Sequence, residues 1–416
     1  MRLTVAELFA GVGGFRVGLN HIEEVDMQER AVENGPWEFV WANQFEPSTK
    51  EQHAFNCYVT RFGEANHSNL DIHEVDKRKI PDHSLVVGGF PCQDYSVARS
   101  LSNEQGIEGK KGVLFWDIKD VLVAKQPPFV LLENVDRLLK SPASRRGRDF
   151  AIMLKTFDEL GYIVQWRVLN AGEYGMPQKR RRVFIWAHKR DLQYSQEFLN
   201  NVLDLKENNI FNQVFPVVDI EISKDIDLNI YESILETSNG YKDGKFLETG
   251  IMVNGHVIHG KPLARMEVVY PLSNILKKAQ VYNEDLLVYK VSEDKLEKWQ
   301  YLKGPKKIER TSSNGHKYIY SEGGMAFPEK MDEPARTMLT SEGTLNRSSH
   351  IVFDESLHAY RILTPVECEL IQMFPPNWTD TMPNRKRYFM MGNALVTGIV
   401  SRLEPVIRNI IEQEVE

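Results

Sequence analysis

Four short segments of the sequence carry residues whose type and spacing suit chemistry. The first is Gly88-Gly89-Phe90-Pro91-Cys92-Gln93, straight after an apolar run. A lone cysteine is most often a small buried hydrophobe. Cys92, however, follows a proline at the C-terminal end of an expected strand, where open α/β sheets gather their active sites. If a helix begins just beyond it, the helix N-terminus lowers the thiol pKa and makes Cys92 a plausible nucleophile. The second segment is Glu133-Asn134-Val135, which also closes an apolar run. Its bland reading is a loop cap. Its chemical reading is a carboxyl group at the same sheet edge as Cys92, kept protonated by an apolar pocket so that it donates a hydrogen bond. The third is Gln178-Lys179-Arg180-Arg181-Arg182, where Gln178, Arg180 and Arg182 share one face of an extended chain. That row is either a solvated basic edge or a set of forked donors for an anion or a base edge. The fourth is Phe9-Ala10-Gly11-Val12-Gly13-Gly14, where glycines at a strand-to-helix turn let a ligand approach the backbone. A tight turn with no ligand is the alternative. Dinucleotide binding is a rival, weakened because the spacing is not the six-residue dinucleotide fingerprint.

The elements that must position these residues follow from hydrophobic pattern and punctuation. Strands are expected over 3–9, 38–43, 84–88 and 128–132, with helices near 115–124 and 149–160 between or after them. Gly161 stops the second of these helices. The alternation predicts an α/β domain with a largely parallel sheet, closed by a strand pair over 163–169 and 182–187. From about 190 to 350 the alternation fades, and Asn239-Gly240, Asp243-Gly244, Asn254-Gly255 and Asn314-Gly315 read as hairpin turns. A second, β-rich domain is expected there. Thr364, Pro365 and Glu367 form a capping box at a helix start. A last amphipathic helix carries Leu395, Ile399, Leu403, Ile407 and Ile410, with Pro405 predicting a kink or break.

The chain of 416 residues is long enough for two to three domains of roughly 150 residues each. Its three cysteines, Cys57, Cys92 and Cys368, are too scattered for a disulfide framework or a metal site, so a reducing, cytoplasmic setting and no metal are expected. Glu7 comes too early for a signal peptide, and no apolar run approaches the ~18 residues of a membrane span. The net charge of −7 argues mildly against a nucleic-acid partner. Yet residues 1–75 hold 5 basic and 12 acidic side chains, which accounts for all of it; the remainder balances at 46 against 46. Lys140, Arg145, Arg146 and Arg148 form a local basic cluster, and 179–190 another, each able to meet phosphate.

Taken in this order, the motifs resemble those of the S-adenosylmethionine-dependent DNA cytosine-5 methyltransferases. The resemblance covers about the first 190 residues and the last 60, through 9–14, 89–93, 133–135, 178–182, 361–374 and Gly392-Asn393-Ala394-Leu395. It implies a Rossmann-like catalytic domain built from 1–190 and 388–416, with 191–387 as a smaller target-recognition domain. It implies that Cys92 adds to carbon 6 of a flipped cytosine, that Glu133 binds the ring's N3 and amino group, and that Arg182 contacts the base, with Arg180 and Gln178 in support. For the cofactor it implies Phe9, Gly11, Gly13 and Gly14, then Asp71 and Ile72 at the adenine, Leu114 after the catalytic loop, and Asn393. The family usually places Glu after the second strand for the ribose hydroxyls. Here Gln44 stands in that place and Glu46 lies two residues on, so either takes the role, with Gln44 favoured. The 94–111 loop, with Gly106 and Gly109, reads as a closing lid or as a plain surface loop. The implied partners are double-stranded DNA and a cognate restriction endonuclease, the chain itself being a monomer in a restriction-modification system. A tRNA cytosine-5 methyltransferase is the alternative, and a cofactor-binding regulator with a dead site is a third reading. The 337–349 stretch, with Arg336 and Arg347, reads either as a backbone-contacting segment or as a surface loop.

Overall fold

The computed structural model describes residues 1–90, 114–200, 203–282, 285–312 and 315–414; Cys92 and the 94–111 loop lie outside them. Apolar runs form the parallel strands β1 (Thr4–Leu8), β2 (Glu38–Asn43), β4 (Leu85–Gly89) and β5 (Phe129–Val135), and the two polar residues of β3 (His67–Ser68) pair beside β2. β6 (Tyr162–Asn170) and β7 (Arg181–Lys189) follow as the expected antiparallel pair. The sheet continues through β8 (Val217–Ile222), β9 (Ile226–Asp227), β10 (Thr249–Val253) and β11 (His256–Ala264). Among the described residues it has 11 strands in the order β3-β2-β1-β4-β5-β7-β6-β10-β11-β8, with β9 beside β11. Outside it stand two antiparallel pairs, β12 (Lys306–Thr311) with β13 (Lys317–Glu322) and β14 (Ile351–Asp354) with β15 (Ala359–Ile362).

Several expectations change here. The sheet does not stop near residue 190, because β10 pairs with β6 and carries β11 and β8 with it. The part beyond it is mixed rather than β-rich, with helices over Leu272–Ala279 and Glu293–Lys303 beside the two small strand pairs. Asn254-Gly255 does turn the β10–β11 hairpin, both residues at positive φ. Asn239-Gly240 instead ends a helix, Ile234–Gly240, whose start is fixed by the Ser233 side chain accepting the Glu236 amide. The final helix, Thr397–Gln413, runs through Pro405 without a break. Burial of Leu403 and Ile407 on either side of it outweighs the lost backbone bond.

Both faces of the sheet are covered. One core gathers Leu8, Val86, Leu132 and Phe90 with the helices Leu114–Lys125 and Arg148–Glu159. The opposite core joins Val5, Leu131 and Trp186 to Phe15 and to Ile399, Val400 and Leu403 of the final helix. The two ends of the chain thus build one unit. Gly18 shows how closely: a Cβ there would lie 2.5 Å from Val400 Cβ. A third core packs Val12, Val17 and Cys57 against Met338, Leu363, Ile371 and Trp378. Residues 272–391 supply most of this core and pack it against Val12 and Val17 at the glycine loop.

Candidate active site

The glycine loop is held in a strained form by neighbours from far along the chain. Phe9 has φ 54°, left-handed for a residue with a side chain, which costs of order 1 kcal/mol and marks a conformation the surroundings impose. Gly13 has φ 88°, and a Cβ there would strike the Phe62 ring at 2.6 Å. The Gly11 amide donates to Gln44 Oε1 at 2.7 Å, and the Trp378 indole donates to the Val12 carbonyl at 2.8 Å. At Gly11 a Cβ would meet nothing within 4 Å, so the loop opens outward there. Gly14 faces inward instead, against Leu395 and Phe374.

The remaining expected cofactor residues are placed by separate contacts. Asn43 Nδ2 donates to the Ser68 and Leu70 carbonyls, and Asn69 Nδ2 to the Gln44 carbonyl at 2.6 Å, lacing the 67–71 segment to the end of β2. Asp71 is half-buried and accepts the His73 amide at 3.1 Å. Ile72 is buried in the first core, and Phe9 and Leu114 pack against the same core. Asn393 is exposed at the end of the helix Asn384–Asn393, which Gln372 holds through the Met391 and Ala394 carbonyls. Glu46 is otherwise engaged: its carboxylate accepts the Ala54 amide at 2.9 Å and caps the helix His53–Phe62. Gln44, with its oxygen on Gly11, keeps its amino group for a hydroxyl. Donor set and open loop together fit an adenosyl ligand.

Next to this lies the sheet edge expected to do the chemistry. Gly89 pairs in register with Glu133 on the neighbouring parallel strand. A Cβ at Gly89 would sit 3.2 Å from Glu133 Oε2, so glycine leaves the space before the carboxyl open. Arg182 Nε lies 3.0 Å from Glu133 Oε1, an oxygen that is buried without a well-aligned hydrogen bond. Burial raises the Glu133 carboxyl above its ordinary range, while the charges of Arg182 and Arg180 pull it part of the way back. Asn134 Nδ2 donates to the Phe90 carbonyl at 2.9 Å, fixing the chain two residues ahead of Cys92.

The basic row divides. β7 begins only at Arg181, so Gln178 and Arg180 precede the strand. Arg182 turns to Glu133, and Arg181 to Asp136 and Glu248. Arg180 is buried; its two terminal nitrogens donate to the carbonyls of Met338 and Gly392, both at 2.9 Å, and its Nε is buried without a hydrogen bond. Gln178 Oε1 accepts the Met338 amide. These two residues join the 335–338 segment to the catalytic edge, and the Arg180 charge also acts on Glu133. Arg336 and Arg347 are likewise consumed internally, Arg336 by Glu329 and Arg347 by the carbonyls of Leu302 and Gly304. At the same end of the sheet Arg145, Arg146, Lys242 and Tyr241 line a cavity of about 440 Å³.

The sequence profile of the C-5 cytosine-specific DNA methylases matches residues 3–411. The chain belongs to this family. It is a DNA cytosine-5 methyltransferase that uses S-adenosylmethionine. The type II methyltransferase M.Sau3AI of Staphylococcus aureus is 46% identical over 414 residues, 98% of this chain and 96% of its own. M.HhaI of Haemophilus parahaemolyticus is 35% identical over 191 residues, 46% of this chain and 50% of its own. The fold is shared with the Dnmt2 methyltransferase of S. pombe, at TM-score 0.57 and 17% identity over 99% of both chains. Among the described residues no helix of this methylase is long and apolar enough to cross a membrane.

One residue of the site had escaped the motif-by-motif reading. Glu7 lies wholly buried in β1, just before the glycine loop, with Oε2 accepting from the Tyr58 hydroxyl at 3.0 Å. The signal was available: a charged residue in the middle of an apolar strand.

Proposed function

We propose that this methylase modifies carbon 5 of a flipped cytosine in a specific duplex sequence, with Cys92 as the nucleophile that adds to carbon 6. S-adenosylmethionine supplies the methyl group when bound. Glu133 holds N3 and the amino group of the ring, and its raised pKa suits it to reach N3 as a donor. Arg182 contacts the base beside it, and Arg180 positions the edge without touching substrate. Phe9, Gly11, Gly13, Gln44, Asp71, Ile72, Leu114 and Asn393 hold the cofactor, Gln44 donating to a ribose hydroxyl. The pairing of Gly89 with Glu133 carries this reading, because it sets the carboxyl beside the strand end from which Cys92 follows. Flipping costs a few kcal/mol and is needed because the target carbon lies inside the duplex stack.

The likeness to type II methyltransferases supports a place in a cytoplasmic restriction-modification system, as a monomer serving a cognate endonuclease. The run of β8, β10 and β11 into the main sheet supports a revised division, in which target recognition begins near residue 265 instead of 191. The test is a covalent trap. With S-adenosylmethionine and duplex DNA carrying 5-fluorocytosine, a protein–DNA adduct should persist on a denaturing gel and vanish in Cys92→Ser. An adduct with tRNA alone would select the RNA substrate, and none with either would refute the nucleophile.

A further inference from the structure

The ribbon of β12 and β13 pairs with no other strand among the described residues. Two strands alone are marginally stable in water, and this pair is secured at its root. Arg347 reaches the carbonyls of Leu302 at 2.6 Å, Gly304 at 3.1 Å and Gly323, and lies 3.3 Å from the Glu322 carboxylate. Lys306 donates to the Leu302 carbonyl at 3.1 Å and faces Glu322 at 3.4 Å. Beyond that root the ribbon stands in solvent: β12 is exposed from Lys307 to Thr311, and Ile319 is 70% exposed.

Register sorts its side chains. One face pairs Ile308 with Tyr320 and Arg310 with Tyr318; the other pairs Lys307 with Ser321, Glu309 with Ile319 and Thr311 with Lys317. The second face is the more open, since Tyr320 on the first is half-buried. On it Lys317 and Glu309 lie 3.2 Å apart. Arg310 lies over the Tyr320 ring at 3.8 Å. Beyond the root the described charges are Lys307, Arg310 and Lys317 against Glu309, a surplus of two positive charges in a chain of net −7. A pinned, solvent-borne ribbon of this charge has the dimensions of an insert for the major groove, about 12 Å wide, which admits two strands.

We propose that β12 and β13 enter the major groove of the substrate duplex and determine which sequence is methylated. The face of Glu309, Thr311, Lys317 and Ile319 meets base edges: a carboxylate accepts from a cytosine amino group, and an apolar side chain covers a thymine methyl. Lys307 and Arg310 hold the phosphates on either side. This rests on the duplex-DNA reading above.

Two variants test it, Glu309→Ala/Ile319→Ser for base reading and Lys307→Ala/Arg310→Ala for phosphate. Each is incubated with S-adenosylmethionine and a pool of random-sequence duplexes, and methylcytosine is mapped. Unchanged S-adenosylmethionine affinity by calorimetry establishes that each variant is folded. The first variant should lose discrimination at one or more target positions by about 5- to 150-fold. The second should keep the sequence preference while its log K against log salt slope becomes shallower by about 2. Wild-type preference and slope in both variants would overturn the ribbon's role and leave the enzyme reading standing. So would unchanged DNA selection with a drop from dimer to monomer, which gives the ribbon to a second copy of the chain. A wild type that marks no duplex at all overturns the underlying reading, and the ribbon's role with it.

Discussion

Glu7 gives the sharpest test of how the cofactor loop is built. Its Oε2 takes the Tyr58 hydroxyl, and its Oε1 is buried without a hydrogen bond. Burial pushes the carboxyl up to about 8, while Tyr58, the Arg16 charge and the Phe15 and Arg16 amides pull the other way. Unfolded, the group titrates near 4.5. Between those two values the folded chain holds a proton that the unfolded chain has lost. Stability therefore falls as pH rises through that window and levels above it. At 1.36 kcal/mol per pH unit, the loss is about 3 kcal/mol by pH 7 and about 5 kcal/mol above pH 8. Glu7→Gln keeps the shape and the acceptor for Tyr58 but has no charge to bury. Urea unfolding of wild type and variant, followed by circular dichroism from pH 5 to 8.5, should show the variant gaining on the wild type by about those amounts. A difference that stays constant within about 0.5 kcal/mol across the range would show that Glu7 is ionised in the folded chain, and the reasoning would fail.

Two further outcomes follow from the same contacts. Trp378→Phe removes the donor on the Val12 carbonyl, worth about 1–2 kcal/mol; the KM for S-adenosylmethionine should rise roughly 5- to 30-fold in a labelled-methyl assay with kcat kept at saturation. An unchanged KM would mean that the loop holds its form without the indole. Arg180→Met strips two donors from buried carbonyls and should cost about 2–4 kcal/mol in unfolding, whereas Arg182→Met should lower methyl transfer with a much smaller loss of stability. Equal stability losses would contradict the separate roles of the two arginines.

Four of the five parallel strands were legible because each is an apolar run with its own stop, and site residues sit at those stops; β3, only His67 and Ser68, has no such run and was missed. What failed to show was partnership across distance. β10 joins β6 with Trp166 packed so closely over Gly250 that a Cβ there would lie 2.1 Å from the ring. Nothing local in residues 249–253 names that neighbour, and with no helix between the hairpin strands the alternation ended before the sheet did. Arg336 and Arg347 looked free for phosphate for the same reason: their partners Glu329, Leu302 and Gly304 lie 7 to 45 residues away. Arg180 shares its spacing with Arg182, but a period of two cannot distinguish an arginine aimed at a carboxylate from one aimed at carbonyls 158 and 212 residues on.

Net charge misleads here in a way the structure explains. Some acids of the first 75 residues are engaged. Arg16 takes Glu33, Arg2 takes Glu38, Glu46 caps a helix, and burial favours the protonated form of Glu7. The positive groups sit where strand direction puts them. β5 ends at the catalytic edge and leads to Arg145 and Arg146. Three antiparallel pairings, β5 with β7, β7 with β6 and β6 with β10, bring the N-terminal end of β10 to that same edge, and the chain entering it carries Lys242. At a Debye length of about 8 Å in physiological salt, the near groups outweigh the distant sum.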